Sequence, residues 1–193
     1  MTSPGTLLAR VRESVLSPDS TITPPPPGER AASVLLLLDP VSNALPVLFT
    51  VRSTDLRSHA GQIALPGGSA DPDDDGVVAT ALREASEEVG VEPGNVDVIG
   101  LLPSMSTRVS GVWLTPVVGL QRAPFRVVPN PLEVADWFHV DLAELLVAPH
   151  SMRVLEHSGM LHDVHFYDAA GRTIWGVTAS ILYDFLARLG RAD

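Results

Sequence analysis

Three glutamates, Glu84, Glu87 and Glu88, fall close together in the stretch "ATALREASEEVGV". On a helix, side chains three and four positions apart lie side by side, and each like-charged pair costs about 0.2–0.5 kcal/mol. A chain that keeps three such carboxylates together is expected to use them to bind a cation, to catalyse a reaction, or both. A solvated acidic face is the alternative, because most runs of charge have no other role. The glutamates alone leave both interpretations open.

The glycines before these glutamates favour the metal-binding interpretation. Gly67 and Gly68 follow Pro66, and paired glycines let the backbone approach a ligand closely and leave a carbonyl for a hard cation. A site built only from oxygen ligands favours Mg²⁺ or Mn²⁺ over zinc. Because Mg²⁺ usually combines few carboxylates with waters and substrate phosphate oxygens, the pattern suits hydrolysis of a diphosphate link.

A single amphipathic helix is predicted to present these carboxylates. At about 100° per residue, one arc is apolar, and it holds Val78, Ala81, Leu82, Ala85 and Val89. The opposite arc holds Thr80, Arg83, Glu84, Glu87 and Glu88. We therefore expect a surface helix with all its carboxylates pointing outward. The start of the helix is predicted from N-cap and first-turn acids, Asp73, Asp74 and Asp75. Its end is predicted at Gly90.

The rest of the chain mixes strands and helices without a regular βαβ period or internal repeats. Apolar runs predict strands at "AASVLLLL", "LPVLFTV", "GQIAL", "VDVIGLL" and "VWLTPVVGL", and a hairpin from "DVHFYD" to "RTIWG". Helices are predicted at "GTLLARVRESVL", at "DLAELLV" with Asp141 as its cap, and at "VTASILYDFLARLG". This pattern indicates an α+β fold around a mixed sheet. We expect residues 1–30 to be an N-terminal helix and proline-rich arm, and residues 31–193 to be one domain.

Composition limits the classes of function. The chain has 193 residues, a net charge of −10 and no cysteine. The negative charge argues against nonspecific binding to nucleic acid or to an anionic membrane. The absence of cysteine excludes disulfides, a thiol nucleophile and cysteine-based zinc sites. With no secretory or membrane-spanning run in the sequence, a soluble cytoplasmic protein is expected, and a homo-oligomer is allowed.

The helix and its preceding loop resemble the Nudix box, G-x5-E-x7-R-E-U-x-E-E-x-G-U, where U is aliphatic. Its second half is matched by Arg83, Glu84, Glu87, Glu88, Gly90 and Val91. In strict register the first glycine and the first acid of the pattern fall on Ser69 and Asp75, and one extra loop residue moves the glycine to Gly68. Ala85 replaces a larger aliphatic residue. The resemblance implies a Nudix hydrolase with an α/β/α sandwich around a mixed sheet.

A second motif precedes the box. "LFTVRSTDLRSHAGQIALPGG" resembles the signature of the coenzyme A diphosphatases of the Nudix superfamily, roughly L-L-T-x-R-S-x3-R-x3-G-x3-F-P-G-G. The matching residues are Thr50, Arg52, Ser53, Arg57, Gly61, Pro66, Gly67 and Gly68. The resemblance implies hydrolysis of coenzyme A or its derivatives to adenosine 3′,5′-bisphosphate and 4′-phosphopantetheine. The alternatives are a broader Nudix diphosphatase acting on NADH, ADP-ribose or nucleoside triphosphates, and a Nudix module that senses a nucleotide without cleaving it.

The resemblance also implies roles for individual residues. Mg²⁺ or Mn²⁺ would be bound by three glutamates and a backbone carbonyl, namely Glu84, Glu87, Glu88 and Gly68. Glu87 is our choice for the general base, although spacing alone does not identify it. Arg83 is predicted to brace a glutamate of the next turn, with an ordinary surface arginine as the alternative. Glu133, in a loop before a predicted strand, is either a further ligand or base or a surface residue.

Residues upstream of the box are candidates for contact with substrate. Arg52 and Arg57 would bind its phosphates, or else pin the acidic loop "ADPDDD". His59 either touches substrate or orients the loop around it. Two further candidates are weaker. The spacing of His162 and His165 does not put both on one strand face. Trp175 is a candidate for stacking on a nucleotide base, but a core or hinge role is the preferred interpretation.

Overall fold

A computed structural model describes residues 4–40, 42–56, 58–107 and 111–190. The helices are α1 (Pro4–Ser14), α2 (Gly76–Val89), α3 (Leu142–Val147) and α4 (Val177–Arg188). The first seven strands are β1 (Arg30–Leu38), β2 (Pro46–Arg52), β3 (Ile63–Ala64), β4 (Gly67–Ser69), β5 (Val96–Leu101), β6 (Met105–Ser106) and β7 (Val112–Gln121). The remaining strands are β8 (Val134–Asp141), β9 (His150–His157), β10 (Met160–Ala169) and β11 (Arg172–Trp175).

The main sheet is mixed and divides around β1 and β2. β1 runs parallel to β7 along its whole length, and β7 runs antiparallel to β5 and β6. β1 and β2 pair antiparallel only at Leu38↔Val47. Beyond that pair β1 takes β4 as its neighbour, while β2 takes β3 on one edge and β8 on the other. The two strands therefore diverge, and the loop that carries Gly67 and Gly68 lies in the fork between them.

Helices cover both faces of this sheet. The leucine run of β1 is buried on both sides, as expected for a strand inside a covered sheet. Leu35 and Leu37 pack with the α2 side, whereas Leu36 and Leu38 pack with the side that holds α1, α3 and α4. The predicted α/β/α sandwich around a mixed sheet is confirmed.

Two predictions about local structure need correction. The predicted hairpin of β10 and β11 is confirmed, but it is extended by a third strand, β9, that the sequence did not predict. Seven of the eight β9 residues are exposed, so no buried face imposes an alternating pattern on its sequence. Asp141 does occupy the N-cap position of α3, but its side chain makes no capping hydrogen bond.

The N-terminal segment packs against the domain. Leu7 and Val11 of α1 belong to the same buried cluster as Leu186 and Leu189 at the other end of the chain. The Arg10 guanidinium donates a hydrogen bond to the Leu189 carbonyl. Within the described residues, no helix is both long enough and apolar enough to span a membrane.

Truncation of Val11 tests how much this packing contributes. Val11 is fully buried, so Val11→Ala should lower the free energy of unfolding by about 2 kcal/mol through lost burial and a residual cavity. Urea unfolding measures the change. Glu13→Ala, on the exposed side of the same helix, should stay within about 0.5 kcal/mol of the parent protein. Equal effects of the two substitutions would contradict the packing of α1.

Candidate active site

Helix α2 lies on the sheet through small side chains. Ala81, Ala85 and Val89 are fully buried in the cluster that contains Leu35 and Leu37 of β1. Alanines at the contact let the helix axis approach the strand closely. The helix ends at Gly90 as predicted, since this residue adopts a left-handed conformation with φ 74° and donates its N–H to the Ser86 carbonyl.

The prediction that all the helix carboxylates point outward is wrong for Glu88. Its exposed fraction is only 4%. The carboxylate accepts a hydrogen bond from the Gly67 N–H at 3.1 Å, and Arg52 Nη1 lies 3.9 Å from its other oxygen. Thr80, also predicted to face outward, is buried as well. A helical projection includes only the residues of the helix itself. It therefore does not show that β2 and the Gly67 loop cover this side of α2.

Burial and neighbouring negative charge disfavour the ionised forms of Glu84 and Glu88. Burial raises the pKa of Glu88 to about 7, against the opposing effects of the Gly67 N–H and Arg52, and with smaller upward contributions from Glu133 and Glu84. Burial also raises the pKa of Glu84, which Arg83 opposes and the nearby carboxylates reinforce. A bound cation would relieve both effects.

A side chain at Gly68 would overlap the Glu84 carboxylate in its present position. A Cβ atom added to Gly68 would lie 2.5 Å from Glu84 Cδ and 2.7 Å from Glu84 Oε1. Gly68 is held there by β4, where it pairs with Ser33 of β1. The backbone of the paired glycines therefore runs against the carboxylate face, as the sequence predicted.

Arg83 connects the acidic loop to the glutamates. Its Nη1 donates to Glu84 Oε1 at 3.0 Å and to Glu87 Oε2 at 3.1 Å. The predicted contact with a glutamate of the next turn is therefore present. On its other side Arg83 donates from Nε and Nη2 to the two oxygens of Asp74, at 2.9 and 3.0 Å. The same Nη2 donates to the Ser69 carbonyl at 3.0 Å.

The aspartate that partners Arg83 is Asp74, whereas the motif register placed the first acid of the box on Asp75. Asp75 occupies the N-cap position of α2 but makes no side-chain capping bond. Asp74 also accepts the Thr80 hydroxyl at 2.8 Å. These contacts, with the Arg83 hydrogen bonds as the largest cause, hold the pKa of Asp74 well below its ordinary value.

Asp74→Asn should therefore destabilise the protein in a pH-dependent way. Loss of hydrogen bonds to a charged partner should cost about 1–3 kcal/mol at pH 7. Because the folded-state pKa is depressed, this contribution is full above the ordinary value of 3.8 and is lost as the pH falls below it. Urea unfolding at pH 7 and at pH 3 should show a difference between the two proteins that narrows at the lower pH. A difference that is constant with pH would contradict the assignment.

Glu133 is brought to the same site by a loop bound to the end of α2. The Asn130 N–H donates to the Glu88 carbonyl at 2.8 Å, and the Ser53 N–H donates to the Glu133 carbonyl at 2.8 Å. The Glu133 charge raises the pKa of both Glu84 and Glu88. Sequence analysis placed Glu133 in a loop before a strand, and β8 does begin at the next residue.

The other candidates lie less centrally. Arg52 faces Glu88 and not the acidic loop, and its Nε is buried without a hydrogen-bond partner among the described residues. Arg57 lies outside the described residues. His59 is exposed, and its Nδ1 lies 3.0 Å from Gln62 Oε1. Trp175 stacks on Phe166, with ring centroids 6.2 Å apart.

The histidines of β10 do not form a site together. His162 and His165 are three residues apart on the strand and so face opposite sides. His165 instead pairs with His150, at 2.9 Å between ring nitrogens, within a stack that includes Tyr183.

The donor set fits a hard divalent cation, although the ligands are not gathered in advance. Within the described part of the chain, no three Asp, Glu or His groups already converge as an ion-binding cluster. Glu84 and Glu87 are both engaged by Arg83. A cation that retains several waters, as Mg²⁺ does, needs few direct carboxylate ligands and suits such a face.

Comparisons with known proteins identify the family of the chain. The family model described as "NUDIX domain" matches residues 28–164. A protein of Photorhabdus laumondii described as "Uncharacterized Nudix hydrolase NudL" is 42% identical over 167 residues, which cover 83% of this chain and 88% of the relative.

Two solved structures share the fold. A MutT/nudix family protein from Enterococcus faecalis has a TM-score of 0.53 at 17% identity, covering 88% of this chain and 65% of that chain. A MutT protein from Methanosarcina mazei Go1 has a TM-score of 0.51 at 19% identity, covering 89% and 97%. The family match and the relative, together with the Arg83–Glu88 segment on α2, place the chain in the Nudix hydrolase family.

Proposed function

We propose that this Nudix hydrolase is a Mg²⁺- or Mn²⁺-dependent coenzyme A diphosphatase. It would cleave the diphosphate bond of coenzyme A or a derivative to adenosine 3′,5′-bisphosphate and 4′-phosphopantetheine. The observation that carries the proposal is the position of Arg52. This residue of the coenzyme A signature lies 3.9 Å from Glu88 of the Nudix box, and its buried Nε lacks a partner among the described residues. The Arg52 side chain as a whole is 28% exposed, and its accessible part would bind a substrate phosphate.

In this proposal the metal is held by the oxygen ligands of α2 and its preceding loop: Glu84, Glu87, Glu88 and the Gly68 carbonyl. When bound, Mg²⁺ or Mn²⁺ would polarise a diphosphate oxygen and lower the pKa of water. Glu87, the exposed member of the set, takes the proton of the attacking water. Glu133 is the alternative base, because its charge acts on Glu84 and Glu88. Arg83 acts as a positioning residue that holds Glu84 and Glu87.

Product analysis tests the proposal directly. Coenzyme A is incubated with the protein and Mg²⁺ or Mn²⁺, and the products are separated by chromatography. The two expected products should appear together and should disappear when a chelator is added. Cleavage of NADH or ADP-ribose, but not of coenzyme A, would retain the hydrolase and reject the substrate. No cleavage of any member of the panel would favour a sensing module.

Cytoplasmic location and homo-oligomerisation belong to the same proposal. The proline-rich segment would supply part of a subunit contact, although in one chain it already contributes the Thr23 carbonyl to a 2.8 Å hydrogen bond from Trp113 Nε1. Light scattering coupled to size exclusion measures the oligomeric state.

A further inference from the structure

A cavity of about 470 Å³ lies beside the candidate active site and has no role in the reaction described above. Its lining includes Trp137 and His139 of β8, Phe125 and Arg126 in the segment that follows β7, and Asp39 after β1. The indole of Trp137 meets the His139 ring edge to face, with centroids 5.6 Å apart at 84°. The lining thus combines an indole, an imidazole and a phenyl ring with one guanidinium and one carboxylate.

Strand register connects this cavity to the metal-binding face. Trp137 pairs with Thr50 of β2, and directly paired residues point to the same side of a sheet. Arg52 is two positions along β2 and therefore shares that side, about 7 Å further along the strand. Since Arg52 contacts Glu88, Trp137 lies on the α2 side of the sheet. It lies at the level of Thr50, two residues along β2 from Arg52.

The cavity wall is also tied to α2 by the backbone. Val127 and Pro129 line the cavity. The residue between them, Val128, donates its N–H to the Val89 carbonyl at 3.0 Å. The same segment then continues to Glu133. The cavity and the carboxylate face are therefore bordered by one segment, which is hydrogen-bonded to the end of α2.

From this geometry we propose that the Trp137 cavity binds the adenine base of the substrate, stacked on the indole of Trp137. A cavity lined by both an indole and a phenyl ring suits a planar heterocycle. Arg126 gives the cavity a cationic group suited to a phosphate carried on the ribose. The inference rests on the proposed function in one respect, which is that the ligand here and the diphosphate at Glu88 belong to one molecule.

Binding of substrate fragments tests the proposal without turnover. Isothermal titration measures the Kd of AMP and of 4′-phosphopantetheine, neither of which contains a diphosphate bond. Trp137→Ala should weaken AMP binding by about 10-fold or more, the effect of losing one base–aromatic stack. It should leave 4′-phosphopantetheine binding within about 2-fold, and Trp137→Phe should recover most of the AMP affinity.

Trp175→Ala is the matched control, because the exposed fractions of Trp175 and Trp137 are nearly equal, 39% and 37%. AMP binding that is absent in the parent protein at millimolar AMP, unchanged in Trp137→Ala, or equally weakened in Trp175→Ala would overturn the proposal. A selective loss of 4′-phosphopantetheine binding would also overturn it, since the cavity would then take the other end of the substrate.

The adenine site and the proposed coenzyme A activity can fail independently of each other. If coenzyme A is not cleaved but ADP-ribose is, a selective loss of AMP binding in Trp137→Ala still supports the adenine site. If coenzyme A is cleaved and Trp137→Ala binds AMP as the parent does, only the adenine site fails.

Discussion

Replacement of Glu84 by glutamine should lower kcat for diphosphate hydrolysis by about 10³-fold, equivalent to roughly 4 kcal/mol of transition-state stabilisation. Glutamine keeps the shape of the side chain and an oxygen acceptor for Arg83, whose Nη1 bonds Glu84 Oε1 at 3.0 Å. The substitution removes the negative charge that would bind the cation. The fold should survive, because glutamine fits the same space beside Gly68.

Steady-state kinetics with coenzyme A and a thermal melt check this result together. Glu156→Gln makes the same chemical change on the exposed strand β9, and it should leave kcat unchanged. A Glu84→Gln protein that turns over at the parent rate would remove Glu84 from the metal-binding set. A parent protein with no turnover on any diphosphate substrate would identify a sensing module.

Gly68→Ala should reduce kcat by about 10²-fold with little change in the substrates accepted. The added methyl group would overlap the Glu84 carboxylate, at 2.7 Å from Oε1. Either the carboxylate or the β4 backbone must move, and displacement of a catalytic group by about 1 Å can cost two orders of magnitude in rate.

The control is Gly94→Ala. A Cβ atom at Gly94 would meet nothing within 4 Å, so this substitution should leave kcat unchanged. Activity near the parent level in Gly68→Ala would mean that the carboxylate shifts without consequence, and it would separate Gly68 from the metal site.

Helix α2 was predictable from sequence because its own periodicity defines it. The spacing of Ala81, Ala85 and Val89 reveals the face that packs, and Gly90 marks the end. The burial of Glu88 was not predictable in this way. Glu88 is covered by Gly67, whose N–H it binds, and by Arg52. Both residues are distant from Glu88 in sequence, so helical periodicity does not reveal them.

The partner of Arg83 shows a second limit of the sequence. Motif spacing placed the first acid of the box on Asp75 and predicted no aspartate partner for Arg83, but the turn before α2 presents Asp74, whose two oxygens both accept from the guanidinium. Three consecutive aspartates offer no signal for choosing among them. β9 was missed for a different reason, since an exposed edge strand has no core to shape its sequence. Trp137 gave no signal either, because its role depends on register with β2.

The contact between the two ends of the chain has a consequence for synthesis on the ribosome. Arg10 and Leu189 are 179 residues apart, and at about 5–20 residues per second the partner of Arg10 emerges roughly 10–35 s after it. During that interval Leu7 and Val11 lack the part of their buried cluster that Leu186 and Leu189 supply. The buried cluster around α1 is therefore completed only after residue 189 has emerged.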